Sequence, residues 1–391
     1  MATAAEVPVR VAQLVTTMAR GGAQLTVLES ALVDGRQIDM TVLAGSDRPP
    51  EGDFWSDPRL SPVAVVEVPW LKRRIAPFSD VMAVLWLARW LRRERPDVFH
   101  THSTKAGVIG RLAGFLVGVP VVHTVHGWAG ALHAGRPITR NLVALTERAL
   151  AAISAQLVVV GHGDREMGLR LGIGGPDRYR VVRSGIAVES TSRSEHRSRD
   201  RARSAFGVDD RSVVIGMVAR MAPQKDHQTA LAAFARLAAQ RQDVALVLIG
   251  DGPGRDDVEA DIARRRLGDR VRTFGHRSDA AELASGFDIA LLASHWEGVP
   301  RSLVEAAAAG VPLVATDVGS VADIVVDDVT GFLVDGNDVE ALVARLGKLV
   351  DDPALRTRLG RAAAERSRDF SADRMRSDLM SLWSEVANRQ G

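Results

Sequence analysis

Along the chain, short apolar runs alternate with helix-length segments whose apolar residues recur every third or fourth position. In the first half the short runs are VRVAQLV (9–15), MTVLAG (40–45), DVFH (97–100), VPVVHT (119–124) and QLVVV (156–160), with helix-length segments such as 79–95 and 138–153 between them. The second half repeats the scheme with SVVIGMV (212–218), VALVLIG (244–250), VRTFG (271–275), FDIALLA (287–293) and VPLVAT (311–316). Strands that alternate with helices make parallel sheets covered on both faces. Two such series predict an α/β chain of two doubly wound domains, the first over 1–188 and the second over 211–370. Between them, ESTSRSEHRSRDRARS (189–204) has almost no apolar residue. It reads as a linker over 189–210 that runs into a solvated helix start, its arginines serving solubility. In the last segment, 371–391, Met375, Leu379, Leu382 and Val386 share one helical face, which should pack back on the first domain.

In open α/β sheets, ligands bind beyond the carboxyl ends of the strands, and two such domains facing each other would form a cleft. Candidate chemistry therefore belongs in the strand-to-helix loops. Gly21 and Gly22 follow the first strand and open the first helix, where backbone can approach a ligand and free N–H groups meet an anion. A plain glycine turn fits them equally well. Arg220 and Lys225, in VARMAPQKDH, follow the first strand of the second domain and could pinch a diphosphate, or they are exposed surface cations. IGDGPGRDD (249–257) resembles a phosphate cradle but lacks the Lys-Ser/Thr of a P-loop, and its glycine spacing does not fit a dinucleotide fingerprint.

The stretch HWEGVPRSLVEAAAAG (295–310) is richer. A strand precedes it, and Pro300 favours a first helical turn. Glu297 then lies in the loop and Glu305 just over one turn inside the helix. N–H groups around Pro300 to Leu303 face any anion at the helix start. A carboxylate accepts hydrogen bonds from both hydroxyls of a vicinal diol. Two glutamates flanking an anion site suit a ligand with diols on both sides of a diphosphate, which is the layout of a nucleotide sugar. Helix capping and a solvated glutamate is the plainer alternative.

Composition narrows the classes. The chain has no cysteine, which excludes disulfides, thiol catalysis and zinc–cysteine sites and fits a reducing compartment. The opening MATAAEVPVRV lacks the layout of a secretory signal. The charge-free run from Leu112 to Gly135 is broken by five glycines, Pro120 and three histidines, which argues against a membrane span. Residues 1–185 carry 22 Lys and Arg against 16 acids, and the remainder 28 against 32. So small an excess does not suggest nucleic acid; it suits an acidic small molecule or an anionic membrane surface. WLKRRIAPFSDVMAVLWLARWLRRERP (70–96) concentrates seven of those cations against two acids, with Trp70, Trp86 and Trp90 interleaved. Lys72, Arg73 and Arg74 are candidates for peripheral contact with an anionic membrane, while the Val81, Leu85 and Ala88 face is expected to cover the sheet.

Glu297-x7-Glu305 in EGVPRSLVEAAAAGVPLVATDVGS resembles the Glu-x7-Glu motif of retaining glycosyltransferases of family 4, which have the GT-B fold of two Rossmann-like domains. ARGGAQ, PDVFHTHSTKAGVIGRLAG, VPVVHTVHGW, VIGMVARMAPQKDH, LVLIGDGPGRDDVE and DVTGFLVDG extend the likeness in consistent order over residues 9 to 350. The likeness is strongest to bacterial enzymes of capsule and exopolysaccharide assembly. It implies that the second domain binds the nucleotide sugar and the first the acceptor. Arg220 and Lys225 would bind the diphosphate, Glu305 the ribose and Glu297 a hydroxyl of the transferred sugar. Backbone of Gly298, Val299, Pro300, Arg301, Ser302 and Leu303 would touch sugar and phosphate, Gly275 and His276 would lie beside the base, and Gly21 and Gly22 would approach the phosphate. His126 matches a histidine near the anomeric centre. His100 and His102, two apart on a strand and so on one face, and Lys105 are candidates for the acceptor.

The reaction implied is transfer of a hexose-type sugar with retention, from a UDP-sugar by preference or a GDP-sugar, to a hydroxyl of a glycan, glycolipid or small molecule. No cofactor or obligatory metal is expected, since no acidic partner sits at ligand spacing from the histidines. The cytoplasm, at the inner face of the membrane, is the expected location. Nothing in the sequence specifies an oligomeric state. The chain departs from the family pattern at Ser184, where asparagine is usual, and at Gly161, where serine is common. The competing classes are a nucleotide-sugar epimerase or a phosphorylase on the same fold, and a non-catalytic sugar-nucleotide-binding protein.

Overall fold

A computed structural model describes residues 7–19, 21–48, 53–55, 57–128, 132–133, 136–186, 195–209 and 211–389. The chain divides into two compact units, one of residues 1–185 with 372–391 and one of residues 186–371.

The first unit is built on a seven-stranded, wholly parallel sheet. Its strands are β1 (Val9–Val15), β2 (Ile38–Gly45), β3 (Ala64–Val68), β4 (Val98–His102), β5 (Val121–Val125), β6 (Gln156–Val159) and β7 (Tyr179–Val181), in the spatial order β3-β2-β1-β4-β5-β6-β7. The order reverses between β1 and β4, which defines the switch point of a doubly wound sheet. On one face Val11, Val15, Val98 and Val122 meet the helix Gly22–Ala31 and the last helix, Ala372–Asn388. Met375, Leu379, Leu382 and Val386 of that last helix are buried there, together with Trp383.

The other face is covered by the helices Pro77–Glu94, Thr104–Val117 and Pro137–Ala152. A buried ion pair, Arg111 to Glu147 at 2.9 Å, ties the second of these to the third. The helix Pro77–Glu94 corrects the sequence expectation. It packs with Ala83, Leu87, Ala88 and Leu91, whereas Val81 is 59% exposed, Leu85 54% and Phe78 73%. Apolar residues lie around most of this helix, so periodicity admits two stripes. The stripe with small Ala83 and Ala88 approaches its neighbours closely, and the bulkier one faces out.

The second unit repeats the plan with β8 (Val213–Val218), β9 (Val244–Ile249), β10 (Val271–Phe274), β11 (Ile289–Leu292), β12 (Leu313–Thr316) and β13 (Gly331–Val334), all parallel, in the order β10-β9-β8-β11-β12-β13. Its switch point lies between β8 and β11. The stretch expected as a linker is here a helix, Glu195–Phe206, while 187–194 and 210 lie outside the described residues. Ala202 and Phe206 enter the core, and Phe206 stacks on Phe287 at 5.6 Å. Two of its arginines are structural. Arg199 and Arg203 both reach Asp288, at 2.6 and 3.0 Å, and the same carboxylate accepts the Val214 N–H at 2.8 Å. Their long side chains carry charge inward from a helix whose own surface is polar, which a charge run does not reveal.

Asp288→Ala leaves the buried Arg203 guanidinium without its carboxylate. It should destabilise the protein by about 3 kcal/mol, read as a lowered denaturant midpoint. A change within about 0.5 kcal/mol, the range of an ordinary surface substitution, would show that the pair carries no weight.

Candidate functional site

In the second unit the candidate residues gather at the carboxyl ends of β8 to β11. β8 ends at Val218, and the chain continues through Ala219, Arg220 and Met221 into a 3-10 turn, Pro223–Lys225. Asp226, at φ 44°, turns the chain into the helix His227–Gln240 and caps it by accepting the Thr229 N–H at 3.1 Å. β11 ends at Leu292 and leads through Ser294 to Pro300 into the helix Arg301–Ala308.

These two loops flank the switch point and are bonded to each other. Lys225 Nζ donates to Glu297 Oε1. The His295 N–H donates to the Gln224 carbonyl at 2.8 Å, and Gln224 Nε2 to the Trp296 carbonyl at 2.7 Å. Glu297 is buried at 7% exposure and Lys225 half-buried. Arg220 is exposed and has no ion-pair partner among the described residues. Arg301 lies 3.7 Å from Glu305, four residues along the helix. Gly298 to Leu303 form the loop end and first turn, where the Leu303 N–H donates to the Pro300 carbonyl at 3.1 Å.

Glycines hold this arrangement. Gly319 (φ 56°), after β12, lies so close to the Glu297 carbonyl that a Cβ there would sit 1.8 Å from its oxygen. After β9, a Cβ on Gly250 would sit 2.0 Å from the Ala219 carbonyl oxygen and one on Gly252 2.4 Å from that of Met221. The Gly254 N–H bonds the Met221 carbonyl at 2.9 Å. The glycine-rich loop is thus packed against the backbone that carries Arg220. Gly275 follows β10 beside Asp251 and Arg255, and His276 is exposed.

In the first unit, Gly21 is the extended N-cap of the helix Gly22–Ala31. His126 follows β5, half-buried, with Nε2 3.1 Å from His102 Nδ1. His100 and His102 do share one face of β4, with ring centroids 4.2 Å apart. Their assignment to the acceptor needs correction, because both are fully buried and bonded at both nitrogens. His100 meets Thr124 Oγ1 at 2.7 Å and the Trp383 indole at 3.1 Å; His102 meets Gln13 Oε1 at 2.8 Å and His126. Lys105 is held by Asp80 at 2.6 Å and by the Arg74 carbonyl. Burial pushes the His126 imidazole down to about 4 and His100 to about 3, with the neighbouring His126 adding to the effect on His100. These rings are therefore neutral near pH 7. Among the described residues, no group of three or more His, Asp or Glu is placed to hold a metal ion.

Sequence reasoning overlooked Gln13, Trp383 and Gly319. Gln13 had a signal, a polar residue midway along the apolar run VRVAQLV. Gly319 had a weaker one, a glycine in the loop TDVGS after a strand. Trp383 lies on the apolar face of the last helix but its bond to His100 has no local signature.

Comparisons with known proteins give a consistent picture. The family model described as Glycosyl transferase 4-like domain matches residues 7–185, and that described as Glycosyl transferases group 1 matches residues 198–366. The chain is 28% identical over 340 residues to the UDP-Gal:alpha-D-GlcNAc-diphosphoundecaprenol alpha-1,3-galactosyltransferase of Escherichia coli, covering 86% of each. It is 31% identical over 307 residues to a D-inositol 3-phosphate glycosyltransferase of Saccharomonospora viridis, covering 74% of this chain and 70% of the relative. Among solved structures, Anabaena Alr3699/HepE in complex with UDP and glucose superposes with a TM-score of 0.81 at 20% identity, covering 96% of this chain and all of that one, which shows the fold.

Glu305 offers a test of the site's electrostatics. Burial raises its carboxyl above the ordinary 4.5, and Arg301 partly opposes the shift. The folded state then holds this proton more tightly than the unfolded state. Its contribution favours folding at acidic pH and is lost as pH rises from 4.5 through the raised value. Glu305→Gln cannot ionise, so its melting temperature relative to wild type should be higher at pH 7.5 than at pH 4.5. An equal difference at both pH values would mean that the carboxylate is not strained by its surroundings.

Proposed function

Because this chain belongs to the glycosyltransferases of family 4 and has their GT-B fold, we propose that it transfers a hexose-type sugar with retention, from a UDP-sugar, to a hydroxyl of a glycan, lipid-linked or small-molecule acceptor. The observation that carries this reading is the pairing of Lys225 with Glu297 at the β8/β11 switch point, with Arg220 exposed on the loop after β8. Two cations and a helix start there can hold a diphosphate, while Glu297 and Glu305 accept hydrogen bonds from the hydroxyls on its two sides. Lys225 has three donor hydrogens, so it can bond a phosphate without releasing Glu297.

In this reading Arg220, Lys225 and the positive end of the helix that starts after Pro300 stabilise the charge that develops on the leaving diphosphate. Glu305 binds the ribose, Glu297 a hydroxyl of the transferred sugar, and Gly275 and His276 border the base. His126, neutral near pH 7, meets a sugar hydroxyl. The acceptor attacks from the face the diphosphate leaves, a phosphate oxygen helps take its proton, and no metal is required. UDP is favoured over GDP because UDP accompanies HepE in the solved structure and the E. coli relative is named for UDP-Gal.

Calorimetry with UDP, GDP and ADP tests the reading. One nucleotide, UDP by expectation, should bind in the micromolar range, and Glu305→Ala should weaken it at least tenfold, about 1.4 kcal/mol. Equal binding by the mutant would make the glutamates structural. Turnover of sugar donors on that base, with EDTA present and the product's anomeric proton read by NMR, separates transfer from epimerisation and from binding alone.

A specific surface supports peripheral contact with an anionic membrane. Phe78, Val81 and Leu85 project from the helix Pro77–Glu94, Leu112, Phe115 and Leu116 from its neighbour Thr104–Val117, and Ile138, Leu142 and Leu145 from Pro137–Ala152. Lys72, Arg73, Arg74, Arg89, Arg92 and Arg93 are exposed on or before the first of these helices. Apolar side chains with basic neighbours suit the headgroup region of an anionic bilayer. No helix among the described residues is long and apolar enough to cross a membrane. Replacing Lys72, Arg73 and Arg74 with Ser should reduce sedimentation with phosphatidylglycerol vesicles at low salt, and Phe78→Ser should weaken it further. Sedimentation unchanged in both variants would sink the membrane assignment.

A further inference from the structure

Beneath the switch point of the first unit lies a buried polar chain that none of the assigned roles uses. Gln13, at the middle of β1, is fully buried. Its Nε2 lies 3.4 Å from Met40 Sδ, and its Oε1 faces His102 Nε2 at 2.8 Å and Ser30 Oγ at 3.0 Å, whose one proton is shared with the Val27 carbonyl at 2.9 Å. A thioether sulfur can accept a hydrogen bond but cannot donate one. With the NH2 on the Met40 side the sulfur gains a donor, whereas the flipped amide would set its oxygen against the sulfur lone pairs; the sulfur contact favours the oxygen on the His102 side.

That orientation propagates. His102 must carry its proton on Nε2 to bond the Gln13 oxygen. Burial, and then the neighbouring His100, His126 and His123, keep His102 neutral, so its Nδ1 is a bare acceptor. The partner of that Nδ1 is His126 Nε2 at 3.1 Å, which must then be the protonated nitrogen. His126 is left with a lone pair on Nδ1, for which no hydrogen bond is made among the described residues. A parallel chain orders the next ring. The Trp383 indole N–H donates to His100 Nδ1, so His100 also carries its proton on Nε2 and donates to Thr124 Oγ1.

We propose that Gln13 is a positioning residue: through His102 it holds His126 in the Nε2–H form, so that His126 presents Nδ1 as a hydrogen-bond acceptor to a sugar hydroxyl. The ligand half of this statement rests on the transferase reading; the tautomer half does not. The opposite tautomer would present a donor where a hydroxyl's hydrogen is to be accepted, and the contact would weaken or reorient. A glutamine that only filled the core would have no such reach.

Imidazole 15N–1H correlation spectra of the full chain at pH 7, assigned with His126→Asn, test the tautomer directly. Wild-type His126 should show a protonated Nε2 and an unprotonated Nδ1; a protonated Nδ1 overturns the proposal without any variant. Gln13→Leu should move both nitrogens toward the averaged shifts of a tautomer mixture. Met40→Leu, a volume-conserving change that guards against a Gln13 variant that fails to fold, should move His126 towards the Nδ1–H form by freeing the amide to turn. Spectra unchanged in both variants overturn the relay. Gln13→Leu should also lower kcat about tenfold while leaving the affinity for UDP unchanged; a shifted tautomer with wild-type kcat overturns the positioning role. A wild type that turns over no nucleotide sugar overturns the transferase reading and the catalytic role with it, while the spectrum still decides the tautomer.

Discussion

The ion pair between Lys225 and Glu297 joins two loops that stand 72 residues apart in sequence. Its location follows from topology. At the β8/β11 switch point the strand order reverses, so the connections lead off in opposite directions, which in open α/β sheets leaves a crevice at the strand ends. Loops at such a gap have little packing of their own. The pair and the two hydrogen bonds beside it, through Gln224, His295 and Trp296, supply the missing constraint. Desolvation offsets much of the attraction between a buried carboxylate and a half-buried ammonium, so the bond matters more for where it places the two groups than for net stability.

Close backbone approach does the rest. Gly319, Gly250 and Gly252 let neighbouring strand-end loops touch main chain to main chain, which a side chain at any of the three would prevent. The glycine-rich segment after β9 is therefore a support for the loop of Arg220. That differs from the free phosphate cradle its composition resembles, and the difference is visible only once the neighbouring strand is known.

Much of the architecture was legible in advance, because strands buried on both faces are mainly apolar: β8, β9 and β11 are so throughout, and β1, β4, β5 and β12 carry only a few polar residues each among apolar ones. β3, β7 and β13 were missed: all three are edge strands, AVVEV and YRV carry polar residues where solvent reaches, and GFLV is only four residues long. The helix Glu195–Phe206 was misread since its inward contacts are made by arginines and by two apolar residues four apart, too few to show a period. The pair of glutamates at 297 and 305 was legible from loop chemistry and helix spacing. The burial of His100 and His102 was not, because it depends on Trp383 and Gln13, which lie 283 and 89 residues away from the rings they contact.

The last helix has a consequence for the order in which the protein can be made. Its residues complete the core of the first unit, and Trp383 closes the environment of His100 there, yet in sequence they follow the whole of the second unit. The second unit is contiguous and can fold as soon as it has emerged. The core of the first unit around Val11, Val15, Leu28 and Val122 stays incomplete until residues 372–388 have emerged as well. Domains that begin at the N-terminus ordinarily fold first during synthesis. Here the unit that comes first in sequence is completed only after the second, and the interval in between is the period in which its sheet is open to chaperones, proteases or misassociation.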